Sequence, residues 1–116
     1  MKLDIDNNTL KVMLNPLEML LSFRRSLKIP VDRITEVSTE KPGWQWGARA
    51  PGIHIPFLVK MGTFLASGGK EFWVTTTGRP YLVIKTEGWD YARIVLTMGE
   101  NKLWAERIKQ EIQAVK

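Results

Sequence analysis

The chain has 116 residues, 44% hydrophobic and 25% charged, with no Cys, a single His and a formal net charge of +5. That length suits one domain, 1–116, with a core of its own, and the missing Cys excludes disulfides, zinc–thiolate sites and Cys nucleophiles. No apolar run reaches the roughly 20 residues that span a bilayer, and Asp4 and Asp6 stand where a signal peptide would be apolar, so a cytoplasmic protein with no transmembrane segment is expected.

In chain order, residues 2–14 predict a strand interrupted by the turn signal Asp6-Asn7-Asn8. Asn15 as N-cap, Pro16 at the first helical position and Glu18 in the first turn then start a short helix, with Leu17, Leu20, Leu21 and Arg24 at helical spacing. Leu27, Ile29 and Val31 alternate as in a strand, but the apolar series changes parity at Ile34 and Val37. A strand cannot change face without a bulge or bend, so one is expected near Asp32-Arg33. Pro30 cannot donate to a ladder, which places it at an edge or at the same irregularity.

Strands resume at Phe57, where Phe57, Val59 and Met61 share a face and Gly62 breaks the pattern. Ser67-Gly68-Gly69-Lys70 is a hairpin turn leading to Phe72 and Val74, and Thr77-Gly78-Arg79-Pro80 leads to Tyr81–Lys85. Glu87-Gly88-Trp89-Asp90 turns the chain into Tyr91–Met98, with Ala92, Ile94, Leu96 and Met98 on one face, Arg93 and Thr97 on the other. Trp89 is expected to fold back onto its own hairpin. The series reads as an antiparallel meander. It ends in an amphipathic helix whose stripe is Trp104, Ile108, Ile112 and Val115. The expected class is α+β: a strongly curved antiparallel sheet or partly open barrel of about six or seven strands, with one short N-terminal helix and a C-terminal helix as cap.

Several small motifs carry a family likeness. They are Thr9-Leu10-Lys11-Val12-Met13-Leu14, the Pro-Leu-Glu helix, Leu27-Lys28-Ile29-Pro30-Val31 with Ile34 and Val37, Arg49-Ala50-Pro51-Gly52, Gly62-Thr63, Gly68-Gly69-Lys70-Glu71-Phe72 and the final helix. In these the chain resembles the bacterial pleckstrin-homology-like (PH-like) small domains, over nearly its whole length. The resemblance implies a bent sheet plugged by a C-terminal helix, and a binding or assembly module without catalytic residues or cofactor. The lipid-binding members use a basic cluster in the first hairpin loop. Here that loop holds Asp6-Asn7-Asn8, so no phosphoinositide site is carried over.

The residues themselves offer little catalysis. No Ser has a nucleophile-elbow context, a lone His must serve any triad, and no His–carboxylate spacing selects a metal site. Ser67-Gly68-Gly69-Lys70 is too short for a P-loop and runs into a strand. The Asp4/Asp6 pair beside a turn reads as solvated. The expectation is therefore no enzyme, cofactor or metal. Basic residues are spread through both halves with acids nearby, which favours a solvated surface over a nucleic-acid face.

The densest constellation is Gly43-Trp44-Gln45-Trp46-Gly47-Ala48-Arg49-Ala50-Pro51-Gly52-Ile53-His54-Ile55-Pro56. Its Gly and Pro residues describe a braced loop. Trp44 and Trp46, two apart, project to one side of an extended chain. They form either a lid or subunit contact, or with Arg49 and His54 a platform for a planar or anionic ligand. Trp73 alternates with Phe72 and Val74 and is expected outward, either as an interface aromatic or half covered by a loop. The leading expectation is self-association or a protein partner through this loop and the Trp73 face. The alternative is peripheral docking on anionic lipid, with Arg24, Arg25, Lys28, Lys41 and Arg49 meeting phosphates.

Overall fold

The computed structural model describes residues 1–22, 24–40, 49–55, 59–66, 68–76 and 78–115. It begins with a hairpin of β1 (Lys2–Asp6) and β2 (Thr9–Met13), in register from Lys2 opposite Met13 to Asp6 opposite Thr9. Asn7 and Asn8 make the turn at φ 52° and 57°. Asn tolerates the left-handed region, and a two-residue turn of that kind matches the twist of its strands.

Helix α1 (Pro16–Ser22) starts where the sequence predicts and ends before Arg24. Asn15 Oδ1 accepts the Glu18 N–H at 2.8 Å, and Glu18 Oε1 accepts the Asn15 N–H at 3.0 Å. This reciprocal cap satisfies two donors that the first turn would otherwise leave open. Behind the helix, the Leu14 N–H donates to the Arg25 carbonyl at 3.3 Å, which closes α1 into an excursion between β2 and β3 (Ser26–Pro30). These three strands form one sheet, in the order β1-β2-β3. Leu10, Val12, Leu27 and Ile29 are fully buried on its inner face. Pro30 closes β3, an edge strand, where its missing N–H costs nothing.

The change of parity after Val31 is a 3-10 turn, Val31–Arg33, with Val31 buried. The turn does more than re-aim one strand. It carries the chain into β4 (Ile34–Ser38) of a second sheet, and a register shift between Ile34 and Glu36 then lets Ile34 and Val37 both point inward. The remaining strands are β5 (Arg49–Ile55), β6 (Val59–Ala66), β7 (Gly69–Thr76), β8 (Tyr81–Thr86) and β9 (Arg93–Thr97).

The second sheet has the order β4-β8-β9-β7-β6-β5. The α+β class and the two helices stand, while the strand layout is corrected in two ways. Nine described strands form two sheets where one curved sheet of six or seven was expected, and neither sheet closes on itself among the described residues. The meander also fails at its end, because β9 inserts between β7 and β8 and pairs with β7 in parallel. The reason lies in burial. Ile94, Val95 and Leu96 all have zero exposure, so β9 is covered on both faces, and a continuous apolar run of that kind belongs at a sheet centre.

Helix α2 (Asn101–Ala114) packs on β4 and β8. Asn101, Ala105 and Ile108 are its buried residues, Trp104 and Ile112 are half-buried, and Val115 lies past the helix and is exposed. Asn101 Nδ2 donates to the Tyr81 carbonyl at 2.8 Å and ties the helix start to β8. The main core takes residues from both sheets and α2, including Leu10, Ile29, Phe72, Leu82, Ile94 and Ile108. A second, smaller cluster covers the opposite face of the large sheet with Phe64, Trp73, Val83 and Val95.

Candidate docking surface

Trp44, Trp46 and Lys41 lie outside the described residues. Arg49 and His54 both belong to β5, opposite Phe64 and Lys60 of β6. Trp73 requires a correction. Alternation does place it on the face opposite Phe72 and Val74, but that face is covered, and Trp73 is only 5% exposed. Its cross-strand partners are Gly62 on one side and Val95 on the other. Gly62 sits at φ 130°, a conformation open to Gly, and presents no side chain beside the indole.

Charges complete the Trp73 environment. Indole Nε1 donates to Glu71 Oε1 at 3.0 Å, and the Arg93 Nη2 reaches the same oxygen at 2.9 Å. Glu71 and Arg93 are direct partners across β7 and β9. Lys60 Nζ stands 3.7 Å from the Trp73 ring centroid and 4.7 Å from that of Phe64. Burial pushes the Lys60 ammonium below its usual pKa and the Arg93 charge adds to this, while the Glu71 carboxylate opposes both. A largely buried Arg–Glu pair and a covered lysine on aromatic faces make a desolvated layer. An open contact face has a different character.

Of the five cations expected to meet phosphates, Arg24, Arg25 and Lys28 have described side chains, and all three are exposed. Lys28 lies exposed on the outer face of the small sheet, opposite Lys11, which pairs with Asp6 at 3.6 Å. Arg24 and Arg25 emerge, exposed, from the C-terminal side of α1. Arg24 then finds Tyr91, 67 residues away: Nη1 donates to the phenol oxygen at 3.3 Å, and the guanidinium lies 5.3 Å from the ring centroid. Lys70, at the tip of the β6–β7 hairpin, brings its ammonium within 5.6 Å of the same centroid. Two exposed cations thus share one ring, and neither has an acidic partner among the described residues.

Tyr91 is held to receive them. It is 5% exposed, packs at a tilt against Phe72 and Trp89, and shares a hydrogen bond with Thr63 Oγ1 at 3.1 Å. Trp89 does fold back, onto the ring of Tyr91. The Ala92 N–H donates to the Lys70 carbonyl at 2.8 Å, which locks the hairpin tip beside the tyrosine. Exposed leucines lie on the elements that carry or adjoin these cations. Leu17 and Leu20 of α1 are 61% and 69% exposed, and Leu65, opposite Lys70 in the hairpin, is 43% exposed.

Sequence reasoning singled out Arg24 but missed Lys70, Tyr91 and the exposed leucines. Ser67-Gly68-Gly69-Lys70 reads only as a turn in the sequence, whereas Gly69 and Lys70 already belong to β7. One local signal existed for the leucines: α1 has apolar residues around most of its circumference, more than a seven-residue helix can bury on one side. Among the described residues no group of three His, Asp or Glu is placed to hold a metal ion. No family model, curated protein or solved structure matches the chain.

Proposed function

We propose that this chain is a non-catalytic binding module with PH-like architecture, and that its α1 end docks on an anionic membrane surface. The carrying observation is the convergence of Arg24 and Lys70 on Tyr91, with Leu65 exposed opposite Lys70 and Leu17 and Leu20 exposed on α1. Cations without an acidic partner among the described residues, together with exposed aliphatic side chains, match an interface that is charged outside and apolar a few ångströms deeper. The shared core of two sheets capped by a C-terminal helix supports the architecture. Support for a protein-binding face through Trp73 is weak, since that ring is covered. A second copy or protein partner is the competing occupant of the α1 end.

Co-sedimentation with phosphatidylcholine vesicles, with and without phosphatidylserine, tests the proposal. Binding is expected only with the anionic lipid and should fall as salt rises. Arg24→Gln and Lys70→Gln should each weaken it by about 1 kcal/mol, roughly fivefold. Leu20→Ser should weaken it without changing the salt dependence. If anionic vesicles leave the protein in solution while light scattering shows a dimer that Leu20→Ser dissociates, the same surface serves self-association and the membrane reading is wrong.

A further inference from the structure

Near the start of α1 lies a cavity of about 490 Å³, within the range of small-molecule sites. It opens where β1, the start of α1, the core face of the large sheet and the entry to α2 meet. Leu3, Met61, Val74, Met98 and Trp104 supply its apolar wall. Thioethers and an indole adapt to aliphatic or flat ligands with little loss of packing.

Its charged groups are unevenly committed. The Glu18 carboxylate is taken up by the Asn15 N–H and by the Met1 amino group at 3.3 Å. Glu100 is exposed and makes no side-chain cap for α2. Against these stand Lys2 and Arg79, both exposed and both without an acidic partner among the described residues. Arg79 reaches over the chain just before α2: its Nη2 lies 3.9 Å from where a Cβ on Gly99 would sit. The cavity is of mixed polarity, with Thr76, Thr97 and the charged groups facing the apolar wall, and a planar donor fork at its mouth suits a carboxylate head group better than a neutral one.

We propose that this cavity is a second binding site, for a small amphipathic monocarboxylate whose tail lies against the Met61–Met98–Trp104 wall and whose head group pairs with Arg79. It uses none of Arg24, Lys70, Leu17, Leu20 or Leu65, although the α1 cap residues Asn15 and Glu18 line it, and it does not rest on the docking surface.

Amide NMR titration of the full chain with decanoate below its micelle range provides the test, with decanol and decylamine as matched probes. Decanoate is expected to saturate, shifting the amides of Thr97, Gly99 and Glu100 and the Trp104 indole N–H. Decanol should bind more weakly and decylamine weakest. Arg79→Gln should weaken decanoate by about tenfold, the worth of one charge-assisted hydrogen bond, and leave decanol unchanged. Val74→Phe, which fills the cavity, should weaken both while vesicle binding persists. Equal affinity for decanoate and decylamine would overturn the carboxylate assignment, and saturable shifts confined to other amides, or none, would overturn the site. Arg24→Gln with Lys70→Gln should leave decanoate binding intact, so the two proposals fail separately.

Discussion

Lys60 illustrates how a single residue can be stabilised and penalised by the same surroundings. Its ammonium lies against Trp73 and Phe64, where cation–π attraction favours the charge, yet burial and the Arg93 guanidinium disfavour it, with Glu71 in opposition. The balance lowers its pKa from 10.5. Between the lowered value and 10.5 the unfolded chain therefore holds more protons than the fold, and stability from this residue rises with pH across that window. Below the lowered value the penalty is present in full. Urea unfolding of the protein and of Lys60→Met at neutral pH and near pH 10 should show the unsubstituted chain gaining on the variant as pH rises. Parallel pH profiles would show that the fold does not perturb this amine. Trp73 teaches a related lesson about single residues: alternation assigns its face correctly, but what covers a face comes from the rest of the chain.

Among the elements, α1 and β9 mark the two ends of what sequence can reveal. Everything that starts α1 is within four residues: Asn15, Pro16 and Glu18 close the cap by themselves. The β1–β2 turn is equally local, as is the stripe of α2. By contrast, the position of β9 is decided by competition among distant strands. The turn before β8 looks like any hairpin turn, and only the uninterrupted Ile94-Val95-Leu96 run hints that the strand is central. The docking surface divides in the same way, because Arg24 belongs to a visible basic run whereas Tyr91 reaches it across 67 residues. Since the α1 cap positions that surface, Asn15→Ala has two expected effects. Stability should fall by about 1 kcal/mol, seen as a lower urea midpoint. Vesicle binding should weaken as well, although no contacting side chain has changed. Unaltered vesicle binding at a lower midpoint would separate the cap from the docking surface.

At the scale of the whole molecule, the two sheets are separate in hydrogen bonding but not in packing. Their backbones are joined only through the short turn at Val31–Arg33 among the described residues, yet Leu10, Val12, Leu27 and Ile29 share one core with Phe72, Leu82, Ile94 and Ile108. A three-stranded sheet on its own has little apolar area to oppose its conformational entropy, so its inner face depends on the large sheet and α2. The two sheets should therefore unfold as one cooperative unit. Ile29, fully buried in the small sheet, is the place to test this. Ile29→Ala should cost about 2–5 kcal/mol, the range for removing such a side chain from a packed core. Native-state hydrogen exchange then reads where the loss is felt. Amides of β2 and of β9, on opposite sides of the shared core, should lose the same amount of protection if the core couples them. Loss confined to β1, β2 and β3 would mean that the small sheet opens alone. The exposed leucines of α1, carried on the β2–β3 excursion, would then move with a mobile flap, and the docking surface would be assembled only when that flap is closed.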